Sequence, residues 1–287
     1  MERELLFMNV KSFLQKAHYL SLDVVIGAVL SHILVARLPN GRQPVDWATT
    51  ILLGICVFII YTADRLYDVQ KGLPTRATLP PRHRFHAENR PVLLKVLLGL
   101  VAVCLILVFW LPKSVIWFGL ALGLASGGYV WAVSRLPVSN QKLVWKEPVV
   151  TVLYTVGVWG SSWAQKPVLG WSEIGLGLLF LLIVFQNLLL FSVMETYEFP
   201  HGSFSLATLW GVDRSDVVLR TLTGVITVLA LVIFFLADDR FAQRAAVIEG
   251  LMSAVLYAIQ RYPNRFLKNE RYRWIGDGVF WLPVLIL

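Results

Sequence analysis

The chain has 287 residues, of which 57% are hydrophobic and 15% are charged, and its formal net charge is +8. Its mean hydropathy is +0.66, whereas an average soluble domain is about half apolar and about a quarter charged. These values exclude a soluble globule and a disordered chain, and the two cysteines are too few for a disulfide scaffold. They favour a polytopic membrane protein.

Along the chain, residues 1–17 mix charged and apolar side chains, which is typical of an amphipathic helix at the membrane surface. Apolar runs then follow, and a helical span needs roughly 17–25 residues. We predict an all-α fold of about nine transmembrane helices that form one domain over residues 1–287. The predicted spans are Tyr19–Leu38, Val45–Ala63, Val92–Trp110, Val115–Ala132, Val149–Trp163, Ile174–Val193, Val217–Leu236, Ala245–Ile259 and Ile275–Leu287. The fifth, eighth and ninth are short for a full span.

The Lys and Arg residues predict the orientation. With this set of spans, eighteen of them fall on the side of the N-terminus and six on the other side. Because cytoplasmic loops carry the excess of cations, we predict a cytoplasmic N-terminus in the cell inner membrane. The cations are spread over several segments instead of one soluble domain, so we expect a lipid bilayer and no nucleic acid as a partner.

One acidic pair ends the second predicted helix. Asp64 and Asp68 are four residues apart, so on a continuing helix they project from one face about 6 Å apart. Mg²⁺ is bound by one or two carboxylates together with water and substrate phosphates. The pair therefore suits a magnesium–diphosphate site. A solvated helix end, with the acids paired to Arg65 or a loop cation, is the alternative.

A second acidic pair ends the sixth predicted helix on the same side of the membrane. Glu195 and Glu198 are three residues apart and share a helical face. If both pairs face one pocket, they hold two divalent ions between them. Exposed surface glutamates are the alternative.

Cations surround these acids in the sequence. Arg side chains and Lys ammonium groups stabilise diphosphate oxygens and the charge that grows on a leaving group, although anionic lipid headgroups attract the same residues. We interpret His83 and His86 as loop hydrogen-bonding residues and not as metal ligands. The candidate diphosphate-binding residues are Arg65, Arg76, Arg82, Arg84, Lys142 and Lys146.

Together these features resemble the UbiA-type intramembrane prenyltransferase superfamily. The family's first motif is Asn-x-x-x-Asp-x-x-x-Asp, and here Asp64 and Asp68 match it while Ile60 stands in place of the asparagine. The family's second motif is a run of aspartates before a glycine; here Glu195 and Glu198 precede Gly202. The long basic loop after the first motif also resembles the family's. The architecture of nearly the whole chain contributes to the resemblance, and the motifs cover about twenty residues.

The resemblance implies an enzyme that transfers a prenyl group from a prenyl diphosphate to a lipophilic, aromatic acceptor with Mg²⁺ as cofactor. Asp64, Asp68, Glu195 and Glu198 then hold the metal, and Arg65 acts with the two aspartates in ionisation of the diphosphate. Aromatic faces such as Tyr129 and Tyr154 stabilise the allylic cation. Asn187, a polar residue deep in the sixth helix, faces the substrate or forms a helix–helix hydrogen bond.

Two other functions stay open. The motif departures favour a catalytically inactive UbiA-fold scaffold or lipid-binding subunit. A transporter is the third possibility, because Asp23, Glu249 and Asp277 lie near or within apolar runs. The acidic pairs, which lie at one membrane boundary instead of the bilayer midplane, disfavour transport.

Overall fold

A computed structural model describes residues 13–71, 81–135, 146–198 and 205–287. Within these ranges the regular elements are all helical. The α-helices are α1 (Phe13–Tyr19), α2 (Leu22–Arg37), α3 (Trp47–Lys71), α4 (Pro81–Glu88), α5 (Arg90–Leu107), α6 (Lys113–Ser134), α7 (Lys146–Thr155), α8 (Ser161–Trp163), α9 (Trp171–Glu198), α10 (Leu206–Trp210), α11 (Val212–Leu236), α12 (Arg240–Arg261), α13 (Pro263–Leu267) and α14 (Arg271–Gly278). The all-α prediction is confirmed for this part of the chain.

The chain divides into two units. The first comprises the described residues of Met1–Val29 and of Trp47–Leu111, and the second comprises those of Leu30–Asp46 and of Pro112–Leu287. Each unit is described separately below. The single domain over residues 1–287 stays a prediction.

In the first unit, α3 is the central helix and packs against α4 and α5. It is 25 residues long, so it continues past its apolar part and includes the Asp64–Asp68 segment as regular helix. At its apolar end Gly54 allows close packing, because a Cβ atom at this position would lie 3.0 Å from the Val29 side chain. Helices α1 and α2 meet at a bend of 71°, where Ser21 has a positive φ of 56°.

In the second unit, α9, α11 and α12 pack against one another and form the main core. Their buried faces are apolar at helical spacing. Among the residues with 0% or 1% exposure are Leu176, Leu179, Ile183, Leu219, Ile226, Ile233, Met252 and Leu256. Burial of such side chains stabilises a fold by about 1.5–3 kcal/mol each in water. In a bilayer, close packing of these same faces holds the helices together.

A π-helical stretch, Val156–Gly160, joins α7 to α8. The buried side chain of His32 reaches this stretch, and its Nδ1 lies 3.0 Å from the carbonyl oxygen of Val158. Since a carbonyl only accepts, Nδ1 carries the proton. This bond ties α2 to the irregular turn, where the normal helical hydrogen-bond pattern is interrupted.

Six described helices are long and apolar enough to cross a membrane, or up to seven if the bent α1–α2 pair is one span. The six are Trp47–Gln70, Arg90–Trp110, Lys113–Val133, Trp171–Glu198, Val212–Leu236 and Arg240–Arg261. These apolar helices are consistent with an integral membrane protein. They correspond to the second, third, fourth, sixth, seventh and eighth predicted spans.

The fifth and ninth predicted spans differ from regular membrane helices. The fifth begins with the ten-residue α7 and then becomes π-helical. The ninth is divided between the eight-residue α14 and a 3₁₀ helix, Val279–Leu285, that contains Pro283. Proline lacks the N–H group that a continuous α-helix needs. The prediction of a surface helix over 1–17 falls mostly outside the described residues, although Phe13–Tyr19 is helical.

Candidate functional site

The first acidic pair lies on the last turns of α3. Asp64 is exposed and Asp68 is half-buried. Because α3 is regular helix through both positions, they share one face, with Cβ atoms about 6 Å apart. The Asp68 Oδ2 atom lies 3.9 Å from the Nε2 atom of His83, which forms a long ion pair with it when protonated.

The basic helix α4 packs against this end of α3. His86 is buried in the contact, and its Nδ1 atom donates a hydrogen bond of 2.8 Å to the carbonyl oxygen of Arg82. Burial lowers the pKa of His86, the bond to Arg82 opposes this change, and the nearby charges of Arg65, His83 and Arg82 lower it further. Cations therefore gather beside the two aspartates.

An aromatic contact also joins α4 to the end of α1. The rings of Phe85 and Tyr19 lie 5.8 Å apart between centroids. Asn89 donates a hydrogen bond of 2.8 Å to the carbonyl oxygen of Phe85 and so holds the end of α4. His86 forms a hydrogen bond as predicted, but the prediction that His83 and His86 lie in a loop is wrong, because both are on helix α4. Arg84 is exposed on α4, and Arg76 lies outside the described residues.

The second acidic pair lies at the end of α9 and has partners on α14. Glu195 forms an ion pair with Arg273. Glu198 accepts a hydrogen bond of 2.9 Å from the hydroxyl group of Tyr272. The Arg273 guanidinium also donates to the Tyr272 hydroxyl at 3.1 Å and lies 5.4 Å from the centroid of the Phe191 ring.

These partners are buried. Tyr272 is 0% exposed and Arg273 is 7% exposed. Burial raises the pKa of Tyr272, so its hydroxyl remains a donor. Burial lowers the pKa of Arg273, but Glu195, Tyr272 and Glu270 together raise it more, so the guanidinium stays charged. Sequence reasoning missed both residues because they fall in a basic, aromatic segment that equally suits lipid headgroups.

The two acidic pairs differ in their suitability for a metal. Asp64 and Asp68 provide two carboxylates, the donors that Mg²⁺ takes together with water and phosphate oxygens. Glu195 and Glu198 are instead bound to Arg273 and Tyr272. In the part of the chain that the structure describes, no group of three or more His, Cys, Asp or Glu residues is placed to hold a metal ion. A shared site for two ions stays a prediction.

The predicted substrate-binding residues of the second unit lie in different surroundings. Asn187 is buried on α9, and its Oδ1 atom has no hydrogen-bond partner among the described residues. Tyr154 stacks on Phe180 with ring centroids 6.2 Å apart and also contacts Phe280. Tyr129 is half-buried on α6. Asn187 thus lies two helical turns from the aromatic cluster that contains Tyr154.

The predicted cation Lys146 is exposed at the start of α7, and Lys142 lies outside the described residues. Sequence reasoning missed Glu147, which directly follows Lys146. One carboxylate oxygen of Glu147 accepts a hydrogen bond of 3.1 Å from the backbone N–H of Leu206. Burial raises the pKa of Glu147. This residue connects α7 to α10, where Ser205 and Thr208 form a capping box.

Comparison with protein-family models, curated proteins and solved structures gives no match to this chain.

Proposed function

We propose that the protein is an intramembrane prenyltransferase that transfers a prenyl group from a prenyl diphosphate to a lipophilic, aromatic acceptor. One observation carries this proposal: Asp64 and Asp68 share a face at the end of α3, where the basic helix α4 packs. Two carboxylates beside several cations are the groups that a metal-bound diphosphate requires. The proposal includes nine membrane spans and a UbiA-like bundle.

In this mechanism Asp64 and Asp68 would hold Mg²⁺, which would act as a Lewis acid that neutralises the charge of the diphosphate oxygens. Arg65 is between the two aspartates on α3, and Arg82 belongs to α4, which packs against α3; in this mechanism both stabilise the negative charge of the leaving group. His83 adds a positive charge when it is protonated. The apolar helices exclude water from the allylic cation.

The test uses the full chain, purified and placed in lipid nanodiscs, with Mg²⁺ and a series of allylic prenyl diphosphates. We expect magnesium-dependent release of diphosphate, and we expect Asp64→Asn to lower it by at least tenfold. The matched control is Glu88→Gln, because Glu88 is an exposed acid at the end of α4 in the same unit. Release that persists in Asp64→Asn, or that needs no divalent ion, would contradict the proposal.

The second pair of acids favours a second candidate, a non-catalytic membrane scaffold or lipid-binding subunit. Arg273 forms an ion pair with Glu195, and Tyr272 donates a hydrogen bond to Glu198. These two acids therefore have a structural role that needs no metal. Binding of prenyl lipid that needs no Mg²⁺, together with no release of diphosphate from any substrate, would support this candidate against the enzyme.

We also propose that the protein lies in the cell inner membrane. Its N-terminus and the segments that follow α3 and α9 would then face the cytoplasm. The excess of Lys and Arg on that side supports this orientation. Single cysteines at Arg84 and at Asn40, introduced separately after replacement of Cys56 and Cys104 by serine, test it. An impermeant thiol reagent added to intact cells should label the cysteine at position 40 and not the one at 84.

A further inference from the structure

One ionisable side chain lies in the middle of the helix bundle and is not used by the proposed function. Glu249 is close to the midpoint of α12, about 14 Å along the axis from Arg240. Its side chain is 0% exposed. Both of its carboxyl oxygens are buried without a hydrogen-bond partner among the described residues.

The surroundings of Glu249 are mainly small and apolar. It belongs to the buried face of α12, between Ala245 and Ala246 on one side and Met252 and Ser253 on the other. Helices α9 and α11 pack against this face, and a Cβ atom at Gly250 would lie 3.5 Å from the Ala230 side chain. The carboxyl group therefore has no opposite charge beside it.

The charged and titratable groups of α12 and of the packing elements lie within about the first or last two to three turns of the long helices, Arg220 being the furthest inside, or in the short α13 and α14. On α12 itself they are Arg240, Arg244, Tyr257 and Arg261; on the packing elements they are Glu173, Glu195, Tyr197, Glu198, Asp213, Arg214, Asp216, Arg220, Arg265, Arg271, Tyr272, Arg273 and Asp277. None of them forms a hydrogen bond with either carboxyl oxygen of Glu249 among the described residues.

A buried hydrogen-bond network lies one helical turn from Glu249. The Ser253 hydroxyl donates to the Gln186 side-chain oxygen at 2.7 Å. The Gln186 side-chain N–H group donates to the Thr223 hydroxyl at 2.9 Å and to the Ser253 carbonyl oxygen at 3.4 Å. The network thus joins α9, α11 and α12, and its Ser253 is the helical neighbour of Glu249 at about 6 Å.

Further polar groups lie near the end of α12, about two turns beyond Ser253. The Gln260 side-chain N–H group donates to the Asp216 carboxylate at 2.6 Å. The Gln260 side-chain oxygen is buried and has no partner among the described residues. Asp216 is near the beginning of α11, where an exposed Arg220 pairs with it. Asp216 directly precedes the predicted span Val217–Leu236, so we expect water at this end of the bundle.

An isolated buried carboxylate carries a large desolvation cost, and burial of a neutral carboxyl group without a partner is also unfavourable. Ionisable residues inside membranes usually have a function. We propose that Glu249 is a reversible proton-binding site inside the bundle, and that the Gln186–Ser253–Thr223 network connects it to water at the Asp216–Gln260 end. This site goes beyond the proposed prenyl transfer.

The chemistry needs only water as the partner. Uptake of a proton forms one O–H bond on a Glu249 carboxylate oxygen and neutralises the side chain. Release breaks this O–H bond, leaves the electron pair on oxygen and returns the proton to water. Hydroxyl and amide groups such as those of Ser253, Thr223 and Gln186 relay protons through water molecules that they bind.

Infrared spectroscopy of the full chain in phosphatidylcholine nanodiscs tests the proposal. We expect a carbonyl stretching band of a protonated carboxyl group that is present in the wild type and missing in Glu249→Gln. Exchange of H₂O for D₂O should shift this band. The double variant Gln186→Leu, Ser253→Ala should slow the shift by at least severalfold; if it does not fold, Thr223→Val replaces it.

Glu173→Gln is the matched control, because Glu173 is also buried on α9 but pairs with Lys166, and the band should persist in this variant. A spectrum without a band that depends on Glu249 would overturn the proposal. A band that does not shift in D₂O would also overturn it, since the acid would then be purely structural. Equally fast exchange in the network variants would overturn the route through Gln186 and Ser253.

Discussion

The hydroxyl group of Tyr272 donates a hydrogen bond of 2.9 Å to the Glu198 carboxylate, and through this bond α14 is fixed on the end of α9. The same turn of α9 carries Glu195, which pairs with Arg273. The hydroxyl of Tyr272 also accepts from Arg273, so the four side chains form one network. Since both partners on α14 are buried, these contacts have a role in stability that is independent of metal binding.

Substitution Tyr272→Phe should destabilise the protein by about 2 kcal/mol, because it removes both hydrogen bonds of the hydroxyl group, to Glu198 and from Arg273, and leaves the ring in place. Thermal unfolding in detergent measures the change. Tyr197→Phe is the matched control, since Tyr197 is 47% exposed on the same turn of α9 and should leave the unfolding temperature unchanged. Equal effects of the two substitutions would show that the Tyr272–Glu198 bond does not stabilise the fold.

Gly276→Ala should destabilise the packing of α14 on α9. A Cβ atom at Gly276 would lie 2.5 Å from a ring atom of Phe191 and 2.9 Å from the Asn187 Oδ1 atom, and overpacking of this kind costs about 1–3 kcal/mol. Gly278→Ala is the control, because a Cβ atom at Gly278, on the same helix, would have no neighbour within 4 Å. Denaturation of the two variants in parallel should show a lower midpoint for Gly276→Ala alone.

Much of the helical architecture was predictable from the apolar runs, because hydropathy reports directly on membrane-spanning length. Six predicted spans have long apolar counterparts. The ninth does not, since Pro283 and the 3₁₀ geometry of Val279–Leu285 interrupt regular helix. The continuation of α3 through Asp64 and Asp68 was also predictable, as no proline or glycine follows Gly54 within that helix.

The surroundings of the candidate site were less predictable. Spacing places Glu195 and Glu198 on one face, but the identity of their partners depends on how α14 folds back onto α9. Arg273 lies 78 residues from Glu195 in sequence, and nothing in its local pattern distinguishes it from the neighbouring interfacial cations. Glu147 was equally obscure, because its burial and its contact with Leu206 are properties of packing. The sequence places Glu249 within an apolar run, but the burial of both its oxygens without a partner among the described residues depends on how the helices pack.

The stability of the second unit should depend on pH through Glu147. Burial raises the pKa of this carboxyl, so between its ordinary value, about 4.3, and the raised value the folded protein binds more protons than the unfolded chain. Stability therefore falls as the pH rises through this window. Glu147→Gln keeps an oxygen that accepts from Leu206 and should be more stable than the wild type above the window. Glu88→Gln, at an exposed position, should leave the pH profile of the unfolding temperature unchanged.

His86 should produce the opposite dependence in the first unit. Burial lowers the pKa of His86, and the charges of Arg65, His83 and Arg82 lower it further. Between this lowered pKa and the ordinary His pKa of about 6.5, the unfolded chain therefore binds more protons than the folded protein. The stability that the neutral ring contributes is present above that value and is lost as the pH falls through the lowered pKa. His86→Gln retains a donor for the Arg82 carbonyl oxygen but does not titrate. Unfolding temperatures measured from about pH 7.5 to about pH 5 should decrease less for this variant than for the wild type, and parallel decreases would show that protonation of His86 does not limit the stability of the α3–α4 contact.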